Sequence, residues 1–131
     1  FKTNLFEGSI EVLTELKKRG HRMVILTNGF DEVQHIKVEK SGLAKFFEQI
    51  ITSDSIGFKK PHPQAFQISL EKVGVDAKDV VMIGDNLEAD ILGAKSVGLG
   101  QIFFNPYSHS HNETVDYEVK KLSEILSIAL H

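Results

Sequence analysis

The stretch VVMIGDNLEAD, residues 80–90, determines how the rest of this chain is interpreted. Its aliphatic start lacks polar alternation, which is typical of a strand covered on both faces in a parallel sheet. Gly84 ends that strand, and the carboxylates of Asp85 and Asp90 follow at a spacing of about one helical turn. Hard oxygen ligands of this kind suit Mg²⁺. The alternatives are that Asp85 or Asn86 caps the next helix and that Asp90 pairs with a lysine.

Outward from this stretch, apolar runs alternate with segments of helical period. The pattern predicts helices over 7–20, 31–40, 61–73, 87–97 and 119–130, strands over 21–26, 46–51, 80–83 and 101–104, and a polar loop over 107–116. Strands alternating with helices indicate parallel βαβ units with helices on both faces of the sheet. The sequence has no internal repeat or linker, so we expect one domain.

The composition excludes several classes of protein. The 131 residues, 41% hydrophobic and 25% charged, suit one domain with a single core, and a net charge of -3 gives no signature of nucleic-acid binding. The lack of cysteine excludes thiol catalysis and disulfides and fits a reducing cytoplasm. No apolar run is long enough to cross a bilayer, and the first residues lack the charged and apolar regions expected of a signal peptide. The first residue is not methionine, so we expect a chain that begins inside a longer polypeptide.

A second motif, Leu26-Thr27-Asn28-Gly29, follows the first predicted strand. Thr27 can donate its hydroxyl to an anionic oxygen. The backbone amides of Asn28 and Gly29 can point the same way, because glycine permits the turn that makes a concave anion site. The alternative is an ordinary turn after a strand.

A third motif centres on Lys60, which precedes Pro61. The proline favours an extended conformation at Lys60, which could aim its ammonium across the strand ends toward a phosphate. The alternative is a solvated surface charge, and Lys59 is the adjacent competitor. The histidines receive no role, since His109 and His111 lie in a polar loop that we expect to face solvent.

Together these motifs resemble those of the haloacid dehalogenase-like (HAD) superfamily of aspartyl-nucleophile phosphohydrolases. Residues 26–29 match its second motif, Lys60-Pro61 its third, and residues 84–90 its fourth, in the expected order. The resemblance implies an α/β fold, a three-layer Rossmann-like core with a mostly parallel sheet.

The resemblance also implies residue roles and a reaction. Thr27, Asn28, Gly29 and Lys60 bind the phosphoryl group, Lys60 and Asp85 are catalytic, and Asp85 and Asp90 hold or support Mg²⁺. The reaction implied is hydrolysis of a phosphate monoester through an aspartyl-phosphate. The substrate expected is a small phosphorylated metabolite, with no nucleic acid and no membrane as partner.

The sequence departs from the family in one respect. The family's first motif, Asp-x-Asp, supplies the nucleophile, and no such pair occurs before Thr27. The first strand normally lies between the strands matching 80–83 and 21–26, and a cap domain commonly follows it. We therefore expect residues 1–131 to be a partial core, without the cap, and inactive alone. An amino-terminal segment was lost or not traced, or a second chain supplies it, or the two flanking strands pair directly.

Several functions remain open at this point. Within the family, nucleotidase-like, phosphoglycolate and sugar-phosphate phosphatases are all compatible, whereas dehalogenation fits the acidic motif less well. A non-catalytic module that binds phosphate or a protein is the alternative, favoured by the missing nucleophile. A receiver-like or nucleotide-binding domain is a third interpretation, and the absence of a glycine-rich phosphate loop argues against its nucleotide version.

Overall fold

The computed structural model describes residues 9–29 and 42–128. The helices are α1 Ser9–Lys18, α2 Ser53–Ile56, α3 Pro63–Val73 and α4 Gly93–Ser96; the strands are β1 Val24–Thr27, β2 Gln49–Thr52, β3 Val81–Gly84, β4 Gly100–Phe104 and β5 Tyr117–Val119. Short 3₁₀ turns cover Ala44–Phe46, Ala77–Asp79 and Leu122–Ser127, and a π-helical turn covers Leu87–Leu92. The helix predicted over 31–40 lies outside the described residues.

Local sequence signals fix the ends of the longer helices. In α3, Pro63 stands in the first turn, where its missing N–H costs nothing, and the His62 ring accepts a hydrogen bond from the amide of Gln64 at 3.1 Å. The helix ends at Gly74, whose φ of 78° is the left-handed conformation that glycine adopts without strain. These boundaries agree with the predicted helix to within two residues.

The carboxyl-terminal part of the described chain differs from the prediction. Instead of a helix over 119–130, Tyr117–Val119 forms β5 and Leu122–Ser127 forms a 3₁₀ turn. The strand pairs in parallel with β4, and the backbone amide of Asn105 donates to the Val119 carbonyl at 2.8 Å. Pairing with β4 outweighs the helical apolar spacing, because the ladder satisfies backbone groups and buries Val119.

The strands of the described residues form two separate parallel sheets. One contains β1 and β2, and the other has the order β3-β4-β5. Within residues 9–29 and 42–128, no strand is hydrogen-bonded to the second edge of β1 or of β3. Direct pairing of these two strands, one of the three explanations considered for the missing first motif, is therefore wrong. We call the space between these two edges the central slot.

Helix α1 packs against both sheets from one face. Its Val12 and Leu16 are buried against Ile102 of β4, while Leu13 packs on the cluster that contains Ile25 of β1. Met23 also contacts both clusters. The helix therefore joins the two sheets across the central slot.

Helix α3 joins the two sheets in the same way from the opposite face. Ala65 and Phe66 are fully buried in a cluster that includes Leu26 of β1 and Met82 of β3. Complete burial of a phenylalanine side chain contributes about 1.5–3 kcal/mol to the free energy of folding. Hydrophobic layers above and below the strands thus hold the sheets together, which confirms the predicted three-layer α/β architecture.

Strand β3 was predicted to be buried on both faces, and this is wrong for alternate residues. Val81 is 38% exposed and Ile83 is 36% exposed, although Met82 between them packs on the α3 cluster. Ile83 is in register with Ile102 of β4, which is completely buried. Ile83 lies one strand nearer to the central slot, and the exposed apolar surface of β3 therefore borders the slot.

None of the helices among the described residues combines the length and the apolar character that crossing a membrane requires.

Candidate functional site

The predicted site residues lie at the carboxyl ends of β1 and β3. Thr27 is the last residue of β1, Gly84 is the last residue of β3, and Lys60 lies in the loop before α3. The carboxyl ends of parallel strands share one edge of a sheet, where ligands bind in open α/β folds. The site is therefore built from loops that belong to both sheets.

The ammonium of Lys60 connects these loops. Its Nζ donates to the Leu26 carbonyl at 2.8 Å and to Asp90 Oδ1 at 2.5 Å. Both charged side chains are only 9% exposed. A buried charge is tolerated when it is paired and hydrogen-bonded, and each of these two groups supplies that compensation to the other. Lys60 is therefore not the solvated surface charge that the sequence left as an alternative.

Asp90 is held by a second contact in the motif that follows β3. Its Oδ2 accepts a hydrogen bond from the backbone amide of Asn86 at 3.2 Å. Asn86 directly precedes the π-helical turn that contains Asp90. A Cβ added to Gly84 would overlap the Asp90 carboxylate, so only glycine permits this close approach. Between metal ligand and lysine partner, the two interpretations the sequence allowed, Asp90 is engaged as the lysine partner.

Asn28 is bonded to the backbone of Lys60 through its side chain. Asn28 Oδ1 accepts from the Lys60 amide at 2.9 Å, and Asn28 Nδ2 donates to the Lys60 carbonyl at 3.1 Å. The two contacts satisfy both backbone polar groups of a residue that lies outside any helix or strand.

The other residues of the second motif are also in contact with the protein itself. The Gly29 amide, expected to face an anion, donates to Ser53 Oγ at 2.9 Å. The hydroxyl of Thr27 makes a long contact of 3.4 Å with the Asn28 carbonyl, and its residue is 3% exposed. The Thr27 hydroxyl is therefore weakly bonded, and the carbonyl of the residue before it accepts a hydrogen bond from the Lys60 ammonium.

Asp85 is exposed at the mouth of this region. Magnesium usually takes one or two protein carboxylates and fills its other positions with water and substrate oxygens. Within the described parts of the chain, no three carboxylate or imidazole groups cluster as a metal site. The donor set here thus fits part of a magnesium site, with Asp85 as the accessible carboxylate.

Two shallow depressions open beside the site. One, of about 280 Å³, is lined by Asp85, Asn86, Leu87, Phe103, His109, Ser110 and His111. The other, of about 300 Å³, is lined by Gly29, Ser53, Asp54, Gly57 and Lys59. Lys59, the competitor of Lys60 in the sequence, is thus an exposed residue at the edge of the second depression.

His111 was given no role from the sequence and was expected to face solvent. Its side chain is only 15% exposed, and its Nε2 lies 2.6 Å from Glu118 Oε1. The Glu113 amide donates to His111 Nδ1, so the ring proton lies on Nε2 and is donated to Glu118. Sequence reasoning missed this pair because nothing in a polar loop indicates that residue 118 joins a strand beside it.

The surroundings of Glu118 stabilise its charged form. The hydrogen bond with His111, followed by the one from Asn105, lowers the pKa of Glu118 below its ordinary value. Asn105 is almost completely buried, and its amide nitrogen donates to Glu118 Oε2 at 3.0 Å. The loop bordering Asp85 is therefore tied to β5 by a charged network.

Comparison with known proteins agrees with this geometry. The family of haloacid dehalogenase-like hydrolases matches residues 1–98. The chain is 38% identical over 126 residues to a glyceraldehyde 3-phosphate phosphatase of Pyrococcus abyssi, covering 92% of this chain and 53% of that protein. It is 32% identical over 122 residues to a pyrimidine 5'-nucleotidase of Escherichia coli, covering 90% of this chain and 53% of that protein. The chain thus spans about half the length of these relatives.

A solved structure shares the fold. The putative HAD-hydrolase of Bacillus subtilis, bound to magnesium, superposes with a TM-score of 0.91 at 30% identity, covering 95% of this chain and 56% of that one. The family match extends over more than half of the chain and includes all three motifs. This chain therefore belongs to the haloacid dehalogenase-like hydrolases.

Proposed function

We propose that this chain is the carboxyl-terminal portion of the core of a magnesium-dependent phosphatase that hydrolyses a small phosphate monoester. The observation that carries the proposal is the buried ammonium of Lys60, held between the Leu26 carbonyl and Asp90 at the ends of β1 and β3. An ammonium has three donors, and two are used by these contacts, which leaves one for an anion.

The residues have distinct roles in this proposal. Lys60 offsets negative charge on the phosphoryl group, Thr27 and the backbone amide of Asn28 bind its oxygens, and Asp90 holds the lysine in place. The amide of Gly29 holds the turn through Ser53. Asp85 is the carboxylate that would hold Mg²⁺, with Asp90 as its support. The metal would supply charge stabilisation of the transferring phosphoryl group.

The nucleophile lies outside this chain in our proposal. An aspartate at the end of a strand in the central slot would face Lys60 from between β1 and β3, and the reaction would proceed through an aspartyl-phosphate. That strand comes from an amino-terminal segment of a longer polypeptide or from another chain. The coverage of about half of each relative supports the first source. The 131-residue chain alone is then inactive.

The substrate class is a small phosphorylated metabolite. The names of the two relatives, one acting on a triose phosphate and one on a pyrimidine nucleotide, support this class. A panel with glyceraldehyde 3-phosphate, phosphoglycolate and a pyrimidine nucleoside monophosphate separates the candidates. We place the enzyme in the cytoplasm, which the absence of cysteine fits.

Release of inorganic phosphate from an aryl phosphate tests the proposal. We expect the longer polypeptide to turn over only with magnesium, and Asp85→Ala to lower kcat at least about 100-fold because a metal ligand is lost. The matched control is Asp76→Ala, an exposed carboxylate whose side chain caps no helix. Undiminished activity of Asp85→Ala would contradict the metal assignment, and turnover by residues 1–131 alone would contradict an external nucleophile.

A non-catalytic module that binds phosphate or a protein is the second candidate. The absence of an Asp-x-Asp pair before Thr27 favours it. Phosphate binding by the longer polypeptide without hydrolysis of any ester in the panel would support this alternative over the enzyme.

A further inference from the structure

We propose that the side chain of Asn28 is a positioning residue that acts through Lys60, and that it does not bind substrate itself. This inference rests on the proposed function and goes beyond the phosphate-binding role that the second motif suggests for residue 28. It separates the side chain of Asn28, which faces Lys60, from its backbone amide, which can still bind an anion.

The first step of the argument is the geometry of the paired contacts. Asn28 accepts from the Lys60 amide at 2.9 Å and donates to the Lys60 carbonyl at 3.1 Å, across 32 residues of sequence. Two bonds from one planar amide fix the position and the orientation of the peptide units that flank Lys60. One hydrogen bond alone would leave rotation about its axis.

The second step is the position of Asn28 itself. It follows β1 directly, and the next residue is fixed twice at the end of β2, since Ser53 Oγ accepts from the Gly29 amide and the Asp54 amide donates to the Gly29 carbonyl at 3.2 Å. The turn that carries Asn28 is therefore tied to the sheet on both sides. This rigid turn can therefore fix the position of Lys60, a loop residue, relative to the sheet.

The third step concerns what the backbone of Lys60 must achieve. Its ammonium has to reach both the Leu26 carbonyl and Asp90, at 2.8 and 2.5 Å, with the remaining donor directed at the reacting group. A flexible four-carbon side chain reaches these two acceptors from many backbone positions, but few of them leave the third donor correctly aimed. Displacement of a catalytic group by about 1 Å can cost about 100-fold in rate.

Kinetics on the longer polypeptide test this role. We expect Asn28→Ala to lower kcat about 10- to 100-fold while KM changes less than about threefold. The variant loses the orientation of the Lys60 ammonium but keeps the affinity for the substrate. Asn28→Asp keeps the acceptor but places an anionic oxygen against the Lys60 carbonyl, so we expect a similar fall. Asn112→Ala, an exposed asparagine of the polar loop, is the control and should leave both constants unchanged.

A double-mutant cycle separates positioning from direct binding. In a Lys60→Met background, Asn28→Ala should lower kcat further by less than about twofold, because the group it positions is already absent. An equal fall in both backgrounds, or a rise in KM with kcat unchanged, would overturn the proposal in favour of direct substrate contact by Asn28.

A measurement independent of turnover keeps the test decisive. In the same polypeptide with ¹⁵N-labelled lysine, the Lys60 ammonium signal is assigned by its loss in Lys60→Met. We expect its protons to exchange with water at least about tenfold faster in Asn28→Ala, since a Lys60 backbone that Asn28 no longer fixes weakens the bonds from the ammonium to Leu26 and Asp90. Unchanged exchange would overturn the Asn28 proposal. Absence of hydrolysis in the unmodified protein would instead defeat the proposed function, with the exchange result still deciding the role of Asn28.

Discussion

At the scale of single residues, the candidate site depends on close contacts around the carboxylate of Asp90. Asp90 is bonded to Lys60 through one oxygen and to the Asn86 amide through the other. Gly84 approaches the same carboxylate so closely that any side chain would collide with it. The position of the Lys60 ammonium therefore depends on Gly84, the last residue of β3.

Replacing Gly84 with alanine tests this linkage. Because the added methyl overlaps Asp90, we expect Gly84→Ala to lower the free energy of unfolding by about 1–3 kcal/mol. Gly100→Ala is the matched control at the start of β4, where the nearest atom to an added Cβ is Val81 Cγ2 at 3.3 Å. Urea unfolding measures both variants, and equal losses would contradict a specific conflict with Asp90.

The sequence predicted part of this site and could not predict the rest. The strand-end location of Thr27 and Asp85 and the position of Lys60 before a helix follow from local patterns, because apolar runs mark strands and glycine or proline marks turns and helix starts. The bond of Asn28 to Lys60 spans 32 residues, and no local pattern encodes which two loops meet. The pairing of Asp90 with Lys60 was among the alternatives, but only three-dimensional proximity selects it.

At the scale of elements, the central slot is the feature that governs β1 and β3. Among the described residues, β1 has one hydrogen-bonded neighbour, β2, and β3 has one, β4. An unpaired strand edge presents free backbone donors and acceptors that favour pairing with another chain. The exposure of Val81 and Ile83 adds apolar surface along the same strand.

Hydrogen exchange of backbone amides tests the open edges. In the 131-residue chain, we expect amides of β1 and β3 that do not bond to β2 or β4 to exchange at least about tenfold faster than those of the β4 ladder. Amides of β4, which has neighbours on both sides, are the internal reference. In the longer polypeptide the same β1 and β3 amides should become protected.

Protection of these amides in the short chain at the level of β4 would contradict an open slot.

The sequence pattern could not predict the exposure of Ile83. An aliphatic run reflects the burial of a strand when all of its neighbours in the sheet are present. The pattern of β3 thus fits a sheet with one more strand than the described residues supply. The helix predicted over 119–130 failed for a related reason, since pairing of Tyr117–Val119 with β4 is a long-range contact.

At the scale of the whole molecule, the second sheet and the loop beside Asp85 are joined by the network of His111, Glu118 and Asn105. This network lies opposite the slot, at the far strand of the sheet. Its contribution to folding depends on the charge of Glu118, and the stability of the molecule should therefore depend on pH.

Acid unfolding measures that contribution. The pKa of Glu118 is lower in the folded protein than in an unfolded chain, where it is about 4.3. The unfolded state therefore binds the proton more readily, so the stabilisation is fully present above about pH 4.3 and is lost as pH falls through the pKa that Glu118 has in the folded protein. We expect Glu118→Gln to flatten the fall of unfolding free energy over this range.

The control for the pH series is Glu71→Gln, an exposed glutamate on α3. It should leave the acid limb of the stability curve as it is in the unmodified protein. A curve for Glu118→Gln that parallels the unmodified one from pH 6 to pH 3 would contradict a stabilising role for the charged network.

The bridging of the slot by α1 and α3 has a mechanical consequence. Both helices bury side chains against both sheets and so join the sheets without a central strand. One strand between two neighbours needs a gap of about 10 Å, the sum of two interstrand spacings. A strand that enters the central slot would gain one ladder of hydrogen bonds with β1 and one with β3, while α1 and α3 already join the two sheets. The described residues therefore form an acceptor for one further strand between β1 and β3.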